Sequence, residues 1–211
     1  MIDHSDGNVT TLSDEFSLEA LRDGDRNEFS RLVEIYSGKL YRLGLKMLGN
    51  PQDAEDILQE TFLKAFRSIR NFNGRSSLST WLYRIAINEA LMHLRRKHPD
   101  TLSIDEPGET GTDEQEPLQI VDWCCMPERE LMSNEVKRKL DQAVEELPAS
   151  LRAVFVLRDI EELSTLETAE VLGLSETAVK TRLSRARMRL REELSAYFSE
   201  QMVGGSVHDA R

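Results

Sequence analysis

Between Glu176 and Glu192 the sequence places Lys180, Arg182, Arg185, Arg187, Arg189 and Arg191, with no acid among them. Like charges at helical spacings repel one another, so such a stretch is best explained by a polyanionic partner, and the phosphate backbone of nucleic acid is one. A second set comprises Trp81, Tyr83, Arg84 and Asn88, followed by Arg95-Arg96-Lys97. Aromatic rings interleaved with bases and amides suit unstacked single-stranded bases, which stack on rings and bond through their edges. Trp81 at helical spacing equally suits a core, and the terminal basic cluster equally complements a helix dipole. In a third set, Asp53, Asp56 and Glu60 stand at i, i+3 and i+7 with Gln59 beside them, so the acids share one helix face. On the residues alone, that face reads as a solvated acidic edge.

Chemistry of other kinds finds no support. No Glu-x-x-His pair, phosphate-binding glycine loop or nucleophile–base constellation is present, so neither an enzyme nor a cofactor is expected. Cys124 and Cys125 are adjacent and cannot staple two segments of one chain. The nearest histidines, His93 and His98, lie far back across a polar stretch, which does not suit a zinc site. No small-molecule substrate is implied.

The elements that must position these sets read as helices throughout. Phe29, Leu32, Val33, Tyr36, Leu40, Leu43, Leu45 and Leu48 recur at three- and four-residue spacings. Gly49-Asn50-Pro51 ends that helix and opens another, with Asn50 as cap, Pro51 as first residue and Asp53 as a third-position acid. The second helix, Pro51 to about Ile69, is expected to bury Ile57, Leu58, Phe62, Ala65, Phe66 and Ile69. A loop of Asn, Gly and Ser composition follows. Then a third helix, from about Leu78 to Lys97, presents Trp81, Leu82, Ile85, Ala86, Leu91 and Leu94. After a stretch rich in proline and acid, helices resume near Glu128 and run to about Phe198, broken at Leu147-Pro148 and at Gly173. Ser164-Thr165-Leu166-Glu167 fits a capping box, Gly173 suits a left-handed turn, Leu174 fills the corner and Ser175 caps the next helix. Val179, Leu183, Ala186 and Leu190 then share one face. Cap, glycine turn, apolar corner and basic second helix together match a helix-turn-helix that enters the major groove of duplex DNA. Lys180, Thr181, Ser184 and Arg185 are the candidates nearest base edges, and Arg182, Arg187 and Arg189 the candidates for phosphate.

The net charge of −11 would argue against a nucleic-acid partner, but its distribution does not. Residues 29–98 carry twelve bases against six acids, whereas residues 99–130 carry ten acids and one base. Local charge governs phosphate binding. The expected architecture is all-α: two small helical domains (17–98 and 131–198) joined by an extended acidic linker (99–130), with flexible tails at 1–16 and 199–211. No apolar run approaches the ~18 residues that span a bilayer, and the acidic N-terminus is no secretory signal. Membrane insertion is therefore not expected, and the cytoplasm is.

Four motifs in order resemble the extracytoplasmic-function class of bacterial sigma factors, within the sigma-70 family. They are Asp53-Ala54-Glu55-Asp56-Ile57-Leu58-Gln59-Glu60-Thr61-Phe62, Thr80-Trp81-Leu82-Tyr83-Arg84-Ile85-Ala86-Ile87-Asn88, Leu147-Pro148, and Val179 to Arg187. The resemblance implies that Asp53, Asp56, Gln59 and Glu60 face core RNA polymerase. It implies that the loop from Phe72 to Ser79 and the helix after it read the promoter −10 element as an opened strand, through Phe72, Asn73, Trp81, Arg84 and Asn88. The helix-turn-helix would read the −35 element as duplex, and the linker would pass through the polymerase cleft. An anti-sigma partner is also implied. Met92 departs from the family's usual Asp or Asn, and Thr165, Thr168 and Ala178 depart within the helix-turn-helix, which bears on specificity rather than fold. The rival reading is a stand-alone helix-turn-helix transcription regulator.

Overall fold

The computed structural model describes residues 16–97 and 134–205. The acidic linker, Cys124 and Cys125 lie outside the described residues. Among those described, eight α-helices are present and no strand. In the N-terminal half these are α1 (Leu18–Asp23), α2 (Arg26–Leu48), α3 (Pro51–Ser68) and α4 (Leu78–Lys97), with a 3-10 turn at Ile69–Asn71.

Local chemistry sets their ends. Asp25 accepts from the amides of Asn27 and Glu28 to open α2, and Asn50 accepts from Gln52 and Asp53 at 2.8 and 3.2 Å to open α3, with Pro51 as its first residue. Each cap satisfies backbone donors that a helix start otherwise leaves orphaned. Helices α2 and α3 cross closely at Gly44, where a Cβ would lie 3.3 Å from the Cα of Ala54. Along α2, Leu32, Leu40, Leu43 and Met47 are fully buried, each contributing about 1.5–3 kcal/mol of apolar burial. Phe66 differs from the sequence expectation. It is 46% exposed, resting edge-on against Phe29 at the outer seam of α2 and α3 (centroids 5.0 Å apart) rather than inside.

The C-terminal half comprises α5 (Asn134–Glu146), α6 (Ala149–Phe155), α7 (Thr165–Leu172) and α8 (Glu176–Gly205). Helix α6 ends in a single π turn, Val156–Ile160, in which the Glu161 amide reaches back to the Val156 carbonyl at 2.9 Å. Helix α8 continues to Gly205, beyond the end near Phe198 read from the sequence, because nothing before Gly204-Gly205 breaks it.

The two halves share one core. Leu43 and Met47 of α2 belong to the same buried cluster as Ala143, Val144, Leu147, Leu151, Val156 and Leu157. Polar contacts fix the junction. Arg152, 9% exposed, donates to the carbonyls of Met47 (2.6 Å), Leu147 (3.0 Å) and Glu145, thereby capping the C-terminal end of α2 from the other half. Burial pushes its guanidinium pKa down from the usual value. Lys46 pairs with Asp141. Helix α4 lies between α3 on one side and α7 on the other. Tyr83 donates to the Glu161 carboxylate at 2.7 Å, and Arg84 donates to the Glu170 carbonyl at 2.7 Å. Burial and the adjacent Glu161 raise the Tyr83 phenol well above its ordinary pKa.

Candidate nucleic-acid interfaces

The capping box of α7 is complete: the Glu167 amide donates to Ser164 Oγ at 3.1 Å, and the Ser164 amide donates to Glu167 Oε2 at 2.8 Å. Gly173 adopts φ +65°, and the chain re-enters α8 with the Ala178 amide donating to Ser175 Oγ at 3.2 Å. Val179, Leu183, Ala186 and Leu190 are all buried, Val179 and Leu183 in a small cluster with Val154 and Ala169 against which Leu174 packs. That burial orients the rest of α8 outward. Lys180, Thr181, Ser184, Arg185 and Arg189 are exposed, and Arg182 is half-buried. Arg187 is engaged elsewhere. Its Nε and Nη2 donate to the two carboxylate oxygens of Asp159 at 2.9 and 2.7 Å. This bidentate bond raises its pKa and ties α8 to the π turn.

The second candidate surface surrounds the loop between α3 and α4. Phe72 is buried, its ring 5.1 Å from that of the half-buried Trp81, so this pair forms the base of the loop. The Phe72 carbonyl accepts from Arg22 Nε at 3.0 Å and Nη2 at 2.5 Å. Asn73 is exposed, and its Oδ1 accepts from the Arg75 amide at 3.1 Å across Gly74, which adopts φ +72°. Ser77 caps α4 by accepting from the Thr80 amide at 3.0 Å. Asn88 is exposed on an open groove of about 420 Å³ lined also by Lys64, Arg67, Ser68, Ile85 and Glu89. Sequence reasoning missed Lys64 and Arg67, although their i, i+3 spacing on α3 puts both on one face. Arg84 points away from that groove, towards α7.

The acids on α3 divide. Asp56, Gln59 and Glu60 are exposed and line a cleft of about 440 Å³ with Leu63, His93 and Arg96. Asp53 is instead held by α4: Lys97 Nζ lies 2.5 Å and His93 Nε2 3.3 Å from its carboxylate. The Lys97 hydrogen bond holds the Asp53 carboxyl below its ordinary pKa, with His93 adding to the effect.

Comparison with known proteins assigns both halves. The family described as Sigma-70 region 2 matches residues 32–99, and Sigma-70, region 4 matches residues 137–190. These two regions, in that order, define the sigma-70 class of initiation factors. The ECF RNA polymerase sigma factor SigW of Bacillus subtilis is 39% identical over 178 residues, covering 84% of this chain and 94% of its own length. The RNA polymerase sigma-H factor of Pseudomonas aeruginosa is 33% identical over 195 residues, 91% of this chain and 99% of its own. The fold matches the structure of CnrH in complex with the cytosolic domain of CnrY (TM-score 0.60, 24% identity, 85% of this chain and 95% of that one). It also matches RpoE of Bartonella quintana in complex with the anti-sigma factor NepR (TM-score 0.57, 22% identity, 79% and 96%). The chain belongs to the extracytoplasmic-function RNA polymerase sigma factors. It is a sigma factor that directs promoter-specific transcription, and the stand-alone regulator is not favoured, because such a regulator has no need of region 2.

Proposed function

We propose that this sigma factor reads its promoters at two sites, with 17–98 and 131–198 as the reading domains and 99–130 as the connector. Helix α8 enters the −35 major groove with Lys180, Thr181, Ser184 and Arg185 at or near base edges, while Arg182 and Arg189 hold phosphates. Arg187 contributes chiefly by anchoring that helix through Asp159. The opened −10 strand runs past Asn73 and into the groove bearing Asn88, where Arg67 supplies positive charge and Lys64 is paired with Glu89 at 2.5 Å. Phe72 and Trp81 form the floor beneath it. Arg84 joins the strand only when it leaves the Glu170 carbonyl. Asp56, Gln59 and Glu60 meet a basic surface of core polymerase, with Asp53 tying their helix to α4 through Lys97 and His93.

The observation that carries this reading is the sorting of α8: Val179, Leu183, Ala186 and Leu190 are buried inside, while Lys180 and Arg185 at the entering end are left exposed. Run-off transcription with bacterial core polymerase on a promoter library tests it. Transcripts selected at both elements are expected; the absence of any promoter-selective transcript overturns the reading. The protein works in the cytoplasm as a non-catalytic subunit, and no described helix is long and apolar enough to cross a membrane. An anti-sigma protein, such as the one bound to RpoE of Bartonella quintana, is a further expected partner.

A further inference from the structure

Arg22 lies on α1, outside the segment matched to region 2, and fifty residues before the loop it touches. Its guanidinium places two donors on a single acceptor, the carbonyl of Phe72, at 3.0 and 2.5 Å. Charged hydrogen bonds of this kind are among the stronger polar contacts in a protein, and this one is partly buried.

The ends of the contact are both fixed. Helix α1 is anchored by the buried Leu21, by the Ser17 amide donating to Glu28 at 2.8 Å, and by Phe16, whose ring lies 6.1 Å from that of Tyr36. Phe72 is clamped from the other side by Trp81. The residue after Phe72 is Asn73, exposed, followed by the left-handed Gly74. The backbone therefore leaves a fixed point at Phe72 and passes directly into an exposed turn closed by the Arg75 amide on Asn73 Oδ1.

We infer that Arg22 is a positioning residue for −10 recognition: by holding the Phe72 carbonyl it sets the direction in which the loop departs, and so where Asn73 stands relative to Asn88. Arg22 touches no DNA. The inference rests on the reading of the loop and α4 as the −10 reader. Without the guanidinium, the Phe72 carbonyl loses the side-chain partner that fixes its direction, while the ring stays packed on Trp81, and the exposed turn samples orientations in which Asn73 no longer faces the strand. Selectivity at one element falls while the other is untouched.

The test uses the full chain assembled with bacterial core polymerase on a library randomised at both promoter elements. Arg22→Ala is expected to reduce the ratio of preferred to disfavoured −10 sequences by about tenfold, the equivalent of one charged hydrogen bond, with −35 preferences unchanged. Arg22→Lys, which restores a charged donor, is expected to recover part of that ratio, and it carries the test if the alanine variant does not assemble. Asn88→Ala separates the two levels of argument. If Asn88→Ala flattens −10 preferences and Arg22→Ala does not, the role of Arg22 is refuted and the −10 reader stands. An equal loss at both elements in Arg22→Ala makes the residue merely structural and also refutes the inference. If Asn88→Ala changes nothing at −10, the reader itself is wrong and the inference falls with it.

Discussion

Arg152 is the residue whose loss the junction between the halves should feel most. Its guanidinium is buried and donates to three main-chain carbonyls, two at the α5–α6 corner and one at the end of α2. Arg152→Met keeps the aliphatic stem and removes the donors. Each hydrogen bond to a charged group contributes about 1.5–3 kcal/mol net, so three set an upper bound of roughly 5–9 kcal/mol. The three bonds share one guanidinium and are not additive, and water can reach some of the carbonyls left behind, so the predicted loss is roughly 2–4 kcal/mol. Urea unfolding of the full chain, followed by far-UV circular dichroism, measures it directly. A thermal scan should show the midpoint lowered by roughly 5–15 °C, at about 2–4 °C per kcal/mol for a chain of this size. Lys46→Ala gives the contrast, because its ion pair with Asp141 is partly exposed and worth less than about 1 kcal/mol. If Arg152→Met costs no more than Lys46→Ala, the carbonyl-capping argument is wrong.

Three other outcomes follow from the same geometry. Arg185→Ala should weaken −35 binding by about 1–3 kcal/mol with little change in melting, whereas Arg187→Ala should lower the melting midpoint and affect −35 affinity less; equal effects on affinity would remove the distinction drawn from Asp159. Gly173→Ala should destabilise the chain by about 1–2 kcal/mol, because φ is +65° and a Cβ there would meet nothing within 4 Å, so backbone strain acts alone; a neutral urea midpoint would contradict it. For Asp53 the folded pKa lies below the ordinary 3.8, so its stabilisation is fully present above that value and is lost as pH falls through the folded one. The stability difference between the parent and Asp53→Asn should therefore shrink on acidification below about pH 4, and a difference that is flat with pH in urea titrations would count against the Lys97 and His93 contacts.

Much of this fold is written in short-range chemistry. Asn50-Pro51, the Ser164–Glu167 box and Gly173 each act on backbone groups within a few residues, so sequence alone locates the helix ends they define. The apolar stripe of α8 is equally local. Helix α4 is not, because it is buried on two faces. Trp81, Leu82 and Ala86 form the stripe that periodicity detects, while the buried Tyr83 meets Glu161 from a half of the chain that arrives some eighty residues later. The candidate site divides in the same way. Exposed Lys180, Arg185, Asn88 and Glu60 stand where their spacing places them, but the engagements of Asp53 and Arg187 depend on His93, Lys97 and Asp159. No pattern within α3 or α8 could reveal those partners. Arg22 and Phe72 meet across fifty residues, which no periodicity spans.

The π turn at Val156–Ile160 has a consequence for register. An α-helix advances about 100° per residue, and a π turn inserts one residue into that progression. Two acids at its end each hold another helix: Asp159, within the turn, accepts from Arg187 on α8, and Glu161, the residue that closes it, accepts from Tyr83 on α4. The angular phase of this single turn thus aligns both attachments at once. Deleting one residue there would restore a regular helix and swing both carboxylates off their partners together, leaving α4 and α8 without a common reference.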